Sequence, residues 1–151
     1  MKHKLIIPLI FTLTAMGAAV RAVPPPCSEK ELLESSDYAV EGTVVKIECG
    51  VPYDSGECRP REDNAAGYKP ETVSKCTASV KVKTNIKGKY APGDTAPVPF
   101  LKVVQSCENG SHIIPGSPKA DLKENTEIRY YSSGLCRYSN LETLGPLPSA
   151  Q

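Results

Sequence analysis

From Tyr38 to Cys49 the chain reads YAVEGTVVKIEC, rich in β-branched residues and apolar at alternate positions. Tyr38 and Val40 share one face. After Gly42 the apolar phase passes to Val45 and Ile47. A phase change at a glycine predicts a bulged, strongly bent strand, of the kind that closes small barrels. Residues 76–86 (CTASVKVKTNI) alternate cleanly: Ala78, Val80, Val82 and Ile86 face in, while Ser79, Lys81 and Lys83 face out. This predicts a half-buried antiparallel strand that turns at Lys87-Gly88-Lys89. Residues 96–104 (APVPFLKVV) make the next strand, and Pro97 and Pro99 confine its start to an edge or a bulge. Asn109-Gly110 marks a tight turn, residues 111–114 a short strand, and residues 127–132 (EIRYYS) the last strand.

Two short helical segments flank these strands. Ser28 and Glu31 form a Ser-x-x-Glu capping box, and Leu32 and Leu33 supply a small apolar face, so a helix is predicted over Glu29 to Ser35. A short helical or turn segment is predicted around Ser139–Leu144. Residues 50–75 are polar and punctuated by Gly50, Pro52, Gly56, Pro60, Gly67 and Pro70, which reads as a long loop tethered by Cys58 in its middle. The sum is one mostly-β domain, a small barrel or sandwich, with no internal repeat and no second domain.

The N-terminus changes the picture of where this domain works. Lys2, His3 and Lys4 are followed by an almost wholly apolar stretch from Leu5 to Val20, and Val20 and Ala22 suit signal peptidase. Residues 1–22 therefore read as a signal peptide, and residues 23–151 as a single exported domain, periplasmic or secreted. The whole chain carries 18 Lys+Arg and 17 Asp+Glu. Lys2, Lys4 and Arg21 leave with the signal, so 15 basic and 17 acidic residues remain and the formal charge is −2. That balance argues against nucleic acid and against a polybasic membrane surface as partners. Lys81, Lys83, Lys87 and Lys89 make a modest basic stripe that reads as an exposed polar face.

Six cysteines lie in the mature part: Cys27, Cys49, Cys58, Cys76, Cys107 and Cys136. An even number in a small exported chain reads as a framework of three disulfides, which a domain with a limited core needs. Fifteen pairings are open to six cysteines, and the sequence does not choose among them. Zinc and thiol-exchange sites want close pairs such as Cys-x-x-Cys. The nearest cysteines, Cys49 and Cys58, are nine positions apart.

The order of these features resembles netrin-like domains, which include the tissue inhibitors of metalloproteinases. A cysteine near the start of the mature chain is followed by Ser36-Asp37-Tyr38-Ala39-Val40-Glu41-Gly42-Thr43-Val44, similar to the family's opening bent strand. Ile86-Lys87-Gly88 is similar to its Lys-Gly turn. Cys107 follows the third strand, and Cys136 precedes a short segment ending at Leu144, as in that family. The resemblance spans about residues 27–144. It implies a five-stranded OB-like barrel with short N- and C-terminal helices, and a bridge from Cys27 to Cys107 or Cys136. The inhibitors of that family hold a protease's zinc with the free amine of a first cysteine. Here Val23-Pro24-Pro25-Pro26 precede Cys27, so the resemblance implies zinc chelation only for a chain trimmed to Cys27.

Catalytic templates fail on inventory. His112 is the one histidine of the mature chain, and no Gly-x-Ser-x-Gly elbow accompanies it. Ser111 beside it points the other way on a strand. Glu29 with Glu31, and Glu62 with Asp63, sit in capping and loop contexts and read as solvated charge. No phosphate-cradling glycine loop is present. Asn109-Gly110-Ser111 matches an N-glycosylation acceptor, which the Asn-Gly turn explains equally well. No catalytic residue, metal or cofactor is expected. The expected function is a non-catalytic protein-binding or inhibitory module for another exported or periplasmic protein, presented by the 50–75 loop and the N-terminal prolines. The alternative is a periplasmic accessory factor that matures another exported redox enzyme, of the methylamine-utilisation type.

Overall fold

A computed structural model describes residues 25–61, 66–113 and 116–146. The expected signal peptide, residues 1–22, and Glu62 and Asp63 lie outside the described residues. Helix α1 (Glu29–Ser35) starts as its capping box dictates: Ser28 Oγ accepts from Glu31 N, and Glu31 reaches back to Ser28 N at 2.8 Å. Only Leu32 of this helix is buried. It packs with Ala39, Tyr131 and Cys136, which seats the helix on the strands that follow.

Eight strands follow: β1 (Ser36–Cys49), β2 (Tyr53–Asp54), β3 (Cys58–Pro60), β4 (Thr72–Lys87), β5 (Thr95–Gln105), β6 (Gly110–His112), β7 (Thr126–Ser133) and β8 (Leu141–Pro146). The main sheet is antiparallel and has six strands. β1 lies between β4 and β7, β8 pairs β7, and β4 also pairs β5 and the short β2. A second, two-stranded sheet joins β3 to β6. The main core is Val44, Ala78, Val80, Val98, Leu122, Ile128 and Tyr130. Most of the alternation expected of β4 is met: Ala78, Val80 and Val82 are buried and Lys81 and Lys83 exposed, while Ile86 and Ser79, expected in and out, are both half-buried.

β1 is bulged as its glycine predicts, with register shifts at Ala39/Val40, Glu41/Gly42 and Val44/Lys46. A Cβ on Gly42 would collide with the Lys81 carbonyl and lie 2.8 Å from Val80 Cγ1, so only glycine lets β1 cross β4 here. The bulges correct the expected phase. Val44, not Val45, is the core residue: Val44 is 0 % exposed and Val45 48 %, because Val45 is the residue skipped by the pairing.

The expected five-stranded closed barrel is not what forms. The sheet has six strands and stays open between its edges β5 and β8. Two features keep it open. Pro97 and Pro99 remove N–H donors from β5, and residues 116–122, here called the strap, lie along β5 with Ala120 N donating to Leu101 O at 2.8 Å. The expected C-terminal helix is also corrected, since Leu141–Pro146 is strand β8. Gly145, at φ 121°, and Pro146 cut the segment short, and one turn of helix is a costly nucleus; β7 offered a full edge to pair with instead. Residues 50–75 are less of a loop than expected, because β2, β3 and the start of β4 lie within them.

All six cysteines are paired, as Cys27–Cys136, Cys49–Cys76 and Cys58–Cys107. Cys27 therefore takes one of the two partners that the netrin-like resemblance implied, and Cys58 tethers its segment. Three disulfides fit an oxidising, extracellular or periplasmic compartment. No helix among the described residues is long and apolar enough to cross a membrane.

Candidate functional site

The strap is held by charge. Lys119 Nζ lies 2.5 Å from Glu57 Oε2 and 2.8 Å from Glu71 Oε1, and Ser117 N donates to Glu57 Oε1 at 2.6 Å. Glu71 is buried, and its contact with Lys119 is an ion pair, not an aligned hydrogen bond. Burial by itself pushes the Glu57 carboxyl up. Hydrogen bonds from Lys119 and Ser117 outweigh it and hold the group below its ordinary value. Burial likewise pulls the Lys119 ammonium down, and the hydrogen bond to Glu57 together with the adjacent Glu71 carboxylate outweighs it and raises it. Glu57 and Lys119 are thus both charged through the neutral range, and the cluster pins the strap to the segment between β2 and β4.

The pinned strap makes one wall of a groove of about 490 Å³ at the open seam of the sheet. Its other walls come from β4 and β5 near Cys76 and Phe100, and from the turn that carries Arg137 and Tyr138 into β8 at Leu141. Phe100, Ala120 and Leu141 are half-buried and pack on the main core, so the groove is floored by its edge. Tyr138 Oη donates to Gly116 O at 2.6 Å and ties turn to strap. The Arg137 guanidinium sits 5.8 Å from the centre of the Tyr138 ring. Two disulfides fix these walls, since Cys76 is itself a lining residue and Cys136 precedes Arg137.

The residues tested for chemistry are not brought together as a catalytic set. His112 Nε2 is 4.0 Å from Glu71 Oε2, and Ser111 Oγ accepts from Arg61 Nε. Glu31 is spent on the capping box. Among the described residues, no group of three His, Cys, Asp or Glu side chains could hold a metal ion. The basic stripe on β4 is partly spent: Lys83 pairs with Glu127, and Lys87 Nζ donates to Leu33 O at 2.6 Å. Asn109 takes positive φ, 52°, and its side-chain amide donates to Gly67 O.

Sequence reasoning missed the strap, and with it Ser117 and Lys119. The one local sign is Pro118 inside a stretch with no period of its own. It also missed Glu57 and Glu71 as partners, because they lie 62 and 48 positions from Lys119. No protein-family model matches this chain, and neither a curated protein nor a solved structure matches it.

Proposed function

We propose that this chain is an exported, non-catalytic module that binds another exported or periplasmic protein in the groove between β5 and β8. The observation that carries this reading is an apolar-floored groove whose walls are fixed before any partner arrives. Two disulfides and the Lys119 ion cluster hold them, which lowers the ordering cost of binding. A volume of about 490 Å³ accepts a few side chains of a partner. The netrin-like reading is kept as part of this proposal. The bent glycine-containing β1 and the Cys27–Cys136 bridge support it, and that family includes modules that bind proteins.

The groove takes the place that the 50–75 loop held in the sequence reading. The described parts of that segment, 50–61 and 66–75, are tied down by β2, by β3 and by the Cys58–Cys107 bridge, so they serve the frame. The maturation reading gains no support from the cysteines, since all six are in bridges and none offers a free thiol.

A photocrosslinking amino acid in place of Tyr138, with a control in place of Lys30 on α1, tests the proposal in cells that export the protein. The expected result is one adduct from the Tyr138 position, with a single exported protein that also binds when the purified pair is mixed. The same adducts from both positions, or none from either, would end the proposal.

A further inference from the structure

The groove carries a charge pattern that selects among partners. Three charged residues line it, Lys75, Lys119 and Arg137, and all are cationic. Lys119 is more than offset by Glu57 and Glu71, two acidic side chains to one basic, and so offers no free cation to the groove. Lys75 and Arg137 are exposed, and among the described residues neither has a carboxylate within ion-pair distance. Each has an aromatic ring nearby: Lys75 Nζ is 5.8 Å from the Tyr53 ring centre, and the Arg137 guanidinium carbon is 5.8 Å from that of Tyr138. Other surface cations divide: Arg129 pairs with Glu41 and Glu142 and Lys69 with Glu108, while Lys81, Lys89 and Lys102 have no ion pair among the described residues, so it is the position of Lys75 and Arg137 on the groove that matters. The floor of the same groove is apolar, at Phe100, Ala120 and Leu141.

We infer that the groove binds an acidic peptide segment of an exported partner, one that sets an apolar side chain on the Phe100–Leu141 floor and carboxylates against Arg137 and Lys75. This rests on the protein-binding reading and names the chemistry of the partner. The carboxylates supply orientation and rate of encounter, and the buried apolar side chain supplies most of the affinity. A neutral or basic segment would leave two cations facing an apolar chain or like charge, which costs affinity.

The test is selection of a random peptide library displayed on phage against the oxidised, full-length exported protein. Selected peptides are then synthesised and their affinity measured on the parent, on Arg137→Glu with Lys75→Glu, and on Tyr138→Ala. Disulfide count by mass and far-UV circular dichroism confirm that each variant is folded. The expected result is enrichment of peptides with Asp or Glu flanking an aromatic or aliphatic residue. Affinity should fall at least tenfold on charge reversal and weaken steeply with salt. Peptides that bind and lose affinity with Tyr138→Ala, but ignore charge reversal, would overturn the acidic class and leave a peptide groove standing. Failure to enrich any peptide would overturn both this inference and the protein-binding reading. Displacement of a selected peptide by decanoate at equal concentration would overturn a peptide occupant in favour of a small apolar acid. A dimer in sedimentation that charge reversal dissolves would overturn it in favour of a second copy of this chain.

Discussion

Lys119 Nζ and Glu71 Oε1 are 2.8 Å apart, and they join segments 48 positions distant in the chain. Glu71 stands just before β4, and Lys119 lies on the strap that takes the place of a closing strand. The pair, with Glu57, is therefore what turns an incomplete sheet into a groove with a fixed wall. A hydrophobic latch at the same place would have filled the seam. A charged one leaves the apolar floor at Phe100 and Leu141 partly open.

Replacing Lys119 by Met should destabilise the domain by about 2–3 kcal/mol, since it strands the Glu71 carboxylate without its cation. The lost contribution should depend on pH in a known direction. Glu57 is held below its ordinary value, so its part is present above about pH 4.3 and lost as pH falls through the lowered value. Lys119 is raised, so its part is present below about pH 10.4 and lost as pH rises through the raised value. Urea unfolding of parent and variant at pH 3, 7 and 11 should show the gap widest at pH 7. An equal gap at all three would refute the charged latch.

How much of this was legible follows from the range of each interaction. The capping box at Ser28 and Glu31, the alternation of β4 and the glycine bulge of β1 are local patterns, and the structure follows them. The register within β1 was not legible. Val44 and Val45 are both β-branched, and only the pairing partner decides which is skipped. The open edge was half legible, since Pro97 and Pro99 announce it, but what lies against it could not be read. Strap, Glu57 and Glu71 meet only through the tertiary fold. The six cysteines were plain, and their pairing was fixed by the same tertiary contacts.

Gly42→Ala should cost about 3 kcal/mol or more, because the added methyl meets the Lys81 backbone carbonyl, which cannot swing aside as a side-chain tip can. The clash would push β1 away from β4 where Val44 and Val80 meet in the core. Thermal unfolding followed by circular dichroism checks this. A loss below about 1 kcal/mol, the usual cost of a routine substitution, would show that the crossing is looser than described.

The three bridges should not be equal. In the loop-entropy account, Cys27–Cys136 closes 109 positions and should contribute about 4–5 kcal/mol, while Cys49–Cys76 closes 27 and should contribute about 3–4. Replacing each pair by serines and measuring Tm should rank Cys27–Cys136 as the costliest loss, with α1 released from β7 as well. A larger loss from the Cys49–Cys76 pair would mean that the groove wall it anchors, and not chain entropy, dominates.

The tyrosines at the other end of the core set the alkaline limit of the fold. The Tyr38 ring meets Tyr90 edge-on at 4.9 Å between centres and Tyr130 at 5.9 Å, and its hydroxyl donates to the Pro97 carbonyl. Burial, reinforced by Tyr130 and Tyr90, pushes the Tyr38 phenol up to about 12, and burial also raises Tyr130. An unfolded tyrosine ionises near pH 10, so the fold favours the neutral form. That contribution is whole below about pH 10 and is lost as pH rises from there through about 12. Tyrosinate absorbance should therefore rise in two stages, and the late stage should coincide with loss of the near-UV circular dichroism of the core. Tyr38→Phe should shrink the late stage by one equivalent. The same variant frees the Pro97 carbonyl on the strand edge, so it should also lower stability at neutral pH by about 1 kcal/mol. A single-stage titration complete by pH 10.5 would show that water reaches the Tyr38 hydroxyl, and the packed ring cluster would have to be abandoned.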